Sequence, residues 1–189
     1  MDISVKKISG RVRSLLIQPK EFWKAQKHTA ENQWKILFRF YFPLLLIVSS
    51  ANFLGEFTGS NHFYAGFAAA KAAREFILYT FQYFISVFFT VELMKPFGGK
   101  RNLQAAQKLV IYSLTPFLLV SIVSGLFPFL YAIEALGMYG FYIFWIGVQE
   151  MLDFPERKES SYILVTILVN FFLFSFLSIF LFKLLTAYI

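Results

Sequence analysis

The chain has 189 residues, of which 58% are hydrophobic and 21% aromatic, and it carries a formal net charge of +7. A soluble domain is about 45–50% apolar, so this composition excludes an ordinary soluble protein and requires lipid to cover the surplus. The absence of cysteine excludes disulfides, thiolate metal sites and lipid attachment through cysteine. Two histidines, His28 and His62, are too few for a His-rich metal site. We therefore predict an integral membrane protein without a metal or other cofactor.

Residues 1–35 are polar and basic and precede the first apolar run. Apolar side chains recur at helical spacing over residues 5–16, with basic residues on the other side, which predicts an amphipathic helix at the bilayer surface. A solvated basic tail is the alternative. Gln18-Pro19 should end this helix and start a second short one. Trp23 and Trp34 are expected at the level of the lipid headgroups.

Five apolar runs follow, each near the length of about 20 residues that crosses a bilayer. They cover residues 36–54, 76–94, 107–127, 129–148 and 162–187. The predicted fold is an all-α integral membrane protein: a five-helix transmembrane domain over residues 36–189, preceded by the interfacial amphipathic helix. The Ala-rich stretch Ala68–Glu75 should extend the second helix outward, and Pro116 should kink the third.

The distribution of positive charge predicts the orientation. Of the 18 Lys and Arg, nine lie in residues 1–39, four in residues 95–108 and two at 157–158, which all fall on one side. Lys71, Arg74 and Lys183 remain for the other side. By the positive-inside rule the N-terminus is cytoplasmic and, after five spans, the C-terminus is outside the cell membrane. The same clustering beside membrane segments favours anionic lipid over nucleic acid as the partner of the basic residues.

Three stretches carry a family resemblance. They are Leu15-Leu16-Ile17-Gln18-Pro19-Lys20-Glu21-Phe22-Trp23, the turn Phe97-Gly98-Gly99-Lys100, and Tyr112-Ser113-Leu114-Thr115-Pro116 inside the third span. In this order the chain resembles the YIP domain family, the polytopic membrane proteins named for interacting with Ypt/Rab GTPases, and especially its short bacterial members. The resemblance implies five membrane helices and a cytosolic N-terminus. Eukaryotic members bind Rab proteins and shape membranes, but this chain lacks their long acidic or Pro-rich extension.

Ionisable and polar side chains inside a membrane are costly and are candidates for function. Glu92 is expected to form a local ion pair with Lys95. Glu134 and Lys183 lie at matching depths, so we expect them to pair across a helix interface, structurally or within a polar pathway. Gln82, Asn170 and several serines are expected to form interhelical hydrogen bonds. A polar-lined cavity between the second, third and fifth helices is the alternative.

The basic residues near the membrane surface are expected to contact lipid headgroups: Lys6, Lys7, Arg11, Arg13, Lys100 and Arg101. Gly98-Gly99-Lys100 does not continue into the Ser or Thr of a phosphate-binding P-loop, so it is interpreted as a tight turn. No catalytic motif occurs in the sequence.

These features favour a non-enzymatic membrane protein that organises lipid or partner proteins, with a homo-oligomer or other membrane proteins as its assemblies. A small transporter, channel or lipid scramblase that uses a polar intramembrane cavity near Glu134 is the alternative. An intramembrane enzyme is disfavoured because the catalytic side chains are missing.

Overall fold

The computed structural model describes residues 5–29, 33–59 and 63–187. Over these ranges the chain is helical and has no strand. In chain order the elements are α1 (Val5–Ile17), α2 (Pro19–Lys27), α3 (Gln33–Ile36), a π-helical turn (Leu37–Tyr41), α4 (Phe42–Leu54), α5 (Glu56–Gly59), α6 (Ala65–Met94), α7 (Leu103–Leu126), a 3₁₀ segment (Pro128–Met138), α8 (Tyr139–Met151) and α9 (Glu156–Ala187).

Within the described residues, five stretches are long and apolar enough to cross a membrane. We number them spans 1 to 5: Trp34–Thr58, Ala65–Met94, Leu103–Leu126, Pro128–Met151 and Arg157–Leu185. The predicted all-α membrane bundle is thus confirmed. The spans alternate in direction, so α1, α2, residues 95–102 and residues 152–155 share one end of the bundle, which we call the basic face. Residues 55–59, Phe63, Tyr64 and Phe127 lie at the opposite face.

Span 3 forms the centre of the bundle and span 5 its edge. The most apolar window of span 3 is 72% buried, whereas that of span 5 is 11% buried. α7 packs against α4, α6, α8 and the 3₁₀ segment, while α9 packs chiefly against α6 and more lightly against α8. Four elements therefore pack around α7, whereas α9 is the span with the largest surface left for lipid.

Two prolines lie inside spans without ending them. Pro43 has no N–H to donate to the carbonyl of Arg39, and just before it the backbone widens to π spacing, with the N–H of Phe42 donating to the carbonyl of Leu37. Pro116 lies inside α7, which continues to Leu126. The Thr115 side chain donates to the carbonyl of Ile111 at 3.0 Å, whereas the carbonyl that the missing N–H of Pro116 would have bonded is that of Tyr112.

The first half of span 4 differs from the expected α-helix. Residues Pro128–Met138 are 3₁₀-helical, with non-helical backbone angles at Leu130. The segment is therefore two short helical pieces that meet at a kink at Leu130, rather than one continuous helix. At the end of the segment the chain comes close to α7: a Cβ on Gly140 would lie 2.2 Å from the carbonyl oxygen of Ser113. Only glycine permits that approach.

The N-terminal helices pack on the bundle through α2. Trp23 is fully buried, and its indole N–H donates to the carbonyl of Ile143 at 3.1 Å. A Cβ on Gly147 would lie 2.7 Å from the Trp23 ring, so this glycine opens the slot that the indole fills. The ring is therefore surrounded by protein rather than by lipid, and its depth relative to the headgroups stays a prediction. Trp34 keeps 53% of its surface exposed.

Further contacts fix the two ends of α2. Lys108, itself buried, donates from Nζ to the carbonyls of Gln26 at 2.9 Å and Thr29 at 2.7 Å. The last carbonyls of a helix lack intrahelical partners and carry partial negative charge, so a buried ammonium stabilises them. At the α1–α2 junction, the Tyr139 hydroxyl donates to the carbonyl of Leu16 at 3.0 Å. α2 therefore lies beside α8 rather than apart from the bundle.

Candidate functional site

A cavity of about 430 Å³ lies between α6, α7, span 4 and α9. This volume falls within the range of about 300–1,000 Å³ found for small-molecule sites. Most of its wall is apolar, and phenylalanines form a large part of it: Phe117, Phe141, Phe144, Phe171 and Phe174. The sequence allowed a polar-lined cavity between the second, third and fifth helices as an alternative. This cavity lies between those helices, and span 4 also contributes to its wall.

The polar part of the wall is centred on Gln82 of α6 and Asn170 of α9. The Gln82 side-chain N–H donates to the Ser86 hydroxyl at 2.9 Å and to the Asn170 carbonyl at 3.4 Å, which joins spans 2 and 5. The Asn170 side-chain N–H donates to the Thr166 carbonyl at 2.8 Å. Because both amide nitrogens have acceptors, the amide oxygens are the free ends of these side chains. Ser113 adds a buried hydroxyl from α7.

Glu134 lines the cavity from the 3₁₀ segment. One of its carboxylate oxygens accepts a hydrogen bond from the Ser124 hydroxyl at 3.0 Å. Lys183 lies on α9 near the same end of the bundle, and its side chain is exposed. The ion pair between Glu134 and Lys183 stays a prediction, and Ser124 is the partner of Glu134 that the structure adds.

A charged cluster that the sequence did not single out lies next to the cavity, at the opposite face. Arg74 pairs with Glu75, and its guanidinium also donates to the Ser178 hydroxyl at 2.9 Å and lies 5.9 Å from the centre of the Phe182 ring. Glu75 is only 8% exposed, so the guanidinium compensates a largely buried carboxylate. The sequence feature that could have indicated this cluster is the Arg74-Glu75 pair directly before the apolar run that starts at Phe76.

At the basic face, the turn between α6 and α7 has the tight form that the sequence predicts. Gly98 has a positive φ of 84°, which favours glycine, and its N–H donates to the carbonyl of Lys95 at 3.0 Å. Glu92 pairs with Arg101 across this turn, so the structure gives it a different partner from the expected Lys95. Lys95 and Lys100 are exposed.

The remaining predicted headgroup contacts lie on α1. Arg13 is exposed and Arg11 is half-buried. Lys6 and Lys7 belong to α1, but their side chains lie outside the described part of the structure. In the described residues, no group of three His, Asp or Glu side chains is placed to hold a metal ion.

The comparison with known families agrees with this architecture. The model of the Yip1 domain matches residues 13–179, which include α2, the turn at Gly98 and most of α9. The chain belongs to the Yip1 domain family. The resemblance to the YIP domain family is thereby confirmed, and the protein is a multi-pass membrane protein of a non-enzymatic, protein-interacting family. No curated protein and no solved structure matches the chain.

The Arg74–Glu75 pair generates a stability prediction. Arg74→Met should destabilise the protein by about 3 kcal/mol, because it leaves the Glu75 carboxylate buried without its partner. The double variant Arg74→Met/Glu75→Gln should recover most of that loss, since it removes the uncompensated charge. Unfolding in mixed micelles with increasing denaturing detergent measures both variants. Equal losses in the single and the double variant would contradict the pairing.

Proposed function

We propose that this member of the Yip1 domain family is non-enzymatic and organises anionic lipid and partner proteins at its basic face. The observation that carries the proposal is the fixed position of α2. Trp23 and Lys108 hold this helix against α7 and α8, while its own Lys20 and Lys24 are exposed. The positive charges of the helix therefore have a defined position relative to the five spans.

Exposed cations of the basic face come from several parts of the chain, and they include Arg13, Lys20, Lys24, Lys27, Lys95, Lys100, Arg101, Arg157 and Lys158. Each Lys or Arg near an anionic membrane surface is worth about 1 kcal/mol of attraction. The bundle already covers Leu15, Phe22 and Trp23 on the apolar side of the N-terminal helices. Lipid recognition here depends mainly on charge, and it should weaken with salt.

The same charge distribution supports the proposed orientation. With the basic face on the cytoplasmic side of the cell membrane, the N-terminus is inside and the C-terminus outside, as the positive-inside rule favours. The basic face then meets both the cytoplasmic lipid headgroups and cytoplasmic partner proteins. The turn over residues 95–102 is the part of that face in line with spans 2 and 3, and position 100 is suited to photocrosslinking of partners.

If the basic face binds anionic lipid, removing cations from that face should reduce the amount of bound lipid, and removing cations from the opposite face should not. Lys24→Gln/Lys100→Gln should retain about tenfold less phosphatidylglycerol through detergent exchange, because two cations leave the basic face. Native mass spectrometry counts the bound lipids, and raising the salt from 0.1 to about 1 M should reduce the difference. The matched control Lys71→Gln/Lys183→Gln removes two charges from the opposite face. Equal lipid loss in the control pair would contradict the proposal.

A second candidate function, a small transporter, channel or lipid scramblase, is favoured by the cavity. Polar side chains of α6, α7 and α9 line it at mid-span, and Glu134 lines it nearer the opposite face. Such groups are typical of intramembrane pathways.

The transport candidate predicts ion flux or lipid flipping in proteoliposomes that falls at least tenfold in Glu134→Ala. Ser49→Ala on α4, outside the cavity, is the control and should keep the wild-type rate. Wild-type proteoliposomes with no flux or flipping above protein-free vesicles would exclude this candidate.

A further inference from the structure

Three polar atoms in the cavity wall are buried and have no hydrogen-bond partner among the described residues: Gln82 Oε1, Ser113 Oγ and Asn170 Oδ1. Gln82 is 2% exposed and Ser113 is 8% exposed, so lipid and water outside the bundle do not reach these side chains freely. A buried polar atom left without a partner costs about 1–3 kcal/mol. Three such atoms belong to side chains that line one space, so a molecule in that space could supply their missing hydrogen-bond partners.

The hydrogen bonds of the two amides define what these atoms can accept. The Asn170 nitrogen is used by the Thr166 carbonyl at 2.8 Å, and the Gln82 nitrogen by Ser86 and the Asn170 carbonyl. A carbonyl can only accept, so each amide must direct its nitrogen there and its oxygen elsewhere. Gln82 Oε1 and Asn170 Oδ1 are therefore acceptors, and the occupant must donate to them.

The charge of the wall further limits which chemical groups the occupant can carry. Glu134 supplies a carboxylate to the wall, and Lys and Arg are absent among the residues that line the cavity. Arg74, which donates to Ser178 of the cavity wall, is already paired with Glu75, so a carboxylate or phosphate in the cavity would face this negative charge without an unpaired cation in the wall. Hydroxyl and ammonium groups instead complement both the carboxylate and the amide oxygens.

The remaining wall fits an apolar chain and has a side open to the bilayer. Met138 of the 3₁₀ segment is 55% exposed and Ile179 of α9 is 58% exposed, although both line the cavity. The two elements thus leave a gap toward lipid, consistent with the light packing of α9 against α8. A molecule dissolved in the membrane can enter there, with phenylalanines around its apolar part.

We propose that the cavity binds one amphiphile from the bilayer whose polar end carries hydroxyl or ammonium donors and no anionic group. Its donors bond to Gln82 Oε1, Asn170 Oδ1 and Ser113 Oγ, and its apolar chain lies among the phenylalanines. The site is separate from the basic face, so it does not rest on the lipid-organising role. It shares its cavity with the transport candidate, but binding requires no flux.

The test uses the full chain in phosphatidylcholine nanodiscs and three diazirine-labelled probes of matched chain length. One is a diacylglycerol with a free hydroxyl, one a long-chain amine and one a fatty acid. After irradiation, mass spectrometry locates and counts the labelled residues. We expect the hydroxyl or amine probe to label cavity residues of span 4 and α9 at least tenfold more than the fatty acid. Labelling by the diacylglycerol points to a membrane lipid, and labelling by the amine alone points to a free cationic amphiphile.

Two variants on different helices test the polar contacts. Gln82→Met and Asn170→Leu should each lower labelling of the cavity about tenfold, the equivalent of about one hydrogen bond. Thr80→Val is the matched control, because Thr80 Oγ1 is also buried without a partner on α6 but does not line the cavity. A thermal melt verifies that each variant is folded, and if one is not, the other still supplies the test.

Three results would overturn the proposal: equal labelling by the fatty acid, labelling that both folded cavity variants keep, or no labelling of the cavity above background by any probe. The last result would mean that only water satisfies these atoms. None of these results depends on phosphatidylglycerol retention at the basic face, so failure here is distinguishable from failure of the lipid-organising role.

Discussion

The burial of Trp23 in the slot at Gly147 is the contact on which the basic face depends. Without it, α1 and α2 would be a basic amphipathic segment free to lie on any nearby bilayer surface. With it, the apolar side of the segment is used by the protein, and the lysines take fixed positions beside spans 3 and 4. Lys108 adds to this by stabilising the end of α2 from within the bundle. An N-terminal segment that is peripheral by composition thus becomes part of the transmembrane domain.

The bilayer explains the arrangement of the other polar groups. Lipid offers no hydrogen bonds, so polar side chains in spans must turn toward each other or toward an enclosed space. Arg74 pairs with Glu75 and donates to Ser178 next to the cavity. In the cavity itself the amide nitrogens are satisfied and the amide oxygens are not. The two free amide oxygens can only accept hydrogen bonds, which is why we propose that the cavity binds a molecule with donor groups.

Much of the fold could be predicted from the sequence, because hydropathy and the lengths of apolar runs determine which segments cross a bilayer. The turn at Gly98 and the polar cavity could also be predicted, the turn from its Pro and Gly residues and the cavity from polar side chains within apolar runs. The 3₁₀ segment was not, since Pro128 alone does not distinguish it from the start of an α-helix. Trp23 suited an interface as well as a core, and its partner Gly147 is distant in the sequence. The partner of Glu92 depended on how the turn folds, which local spacing could not determine.

The docking of α2 can be measured directly with a protein whose only tryptophan is Trp23, since the chain has three, at positions 23, 34 and 145. In vesicles, its fluorescence should resist quenching both by iodide in water and by brominated lipid, because the ring is fully buried in protein. A protein that keeps only Trp34, which is 53% exposed, serves as the control and should be quenched. Quenching of Trp23 by brominated lipid to the same extent as Trp34 would contradict the account.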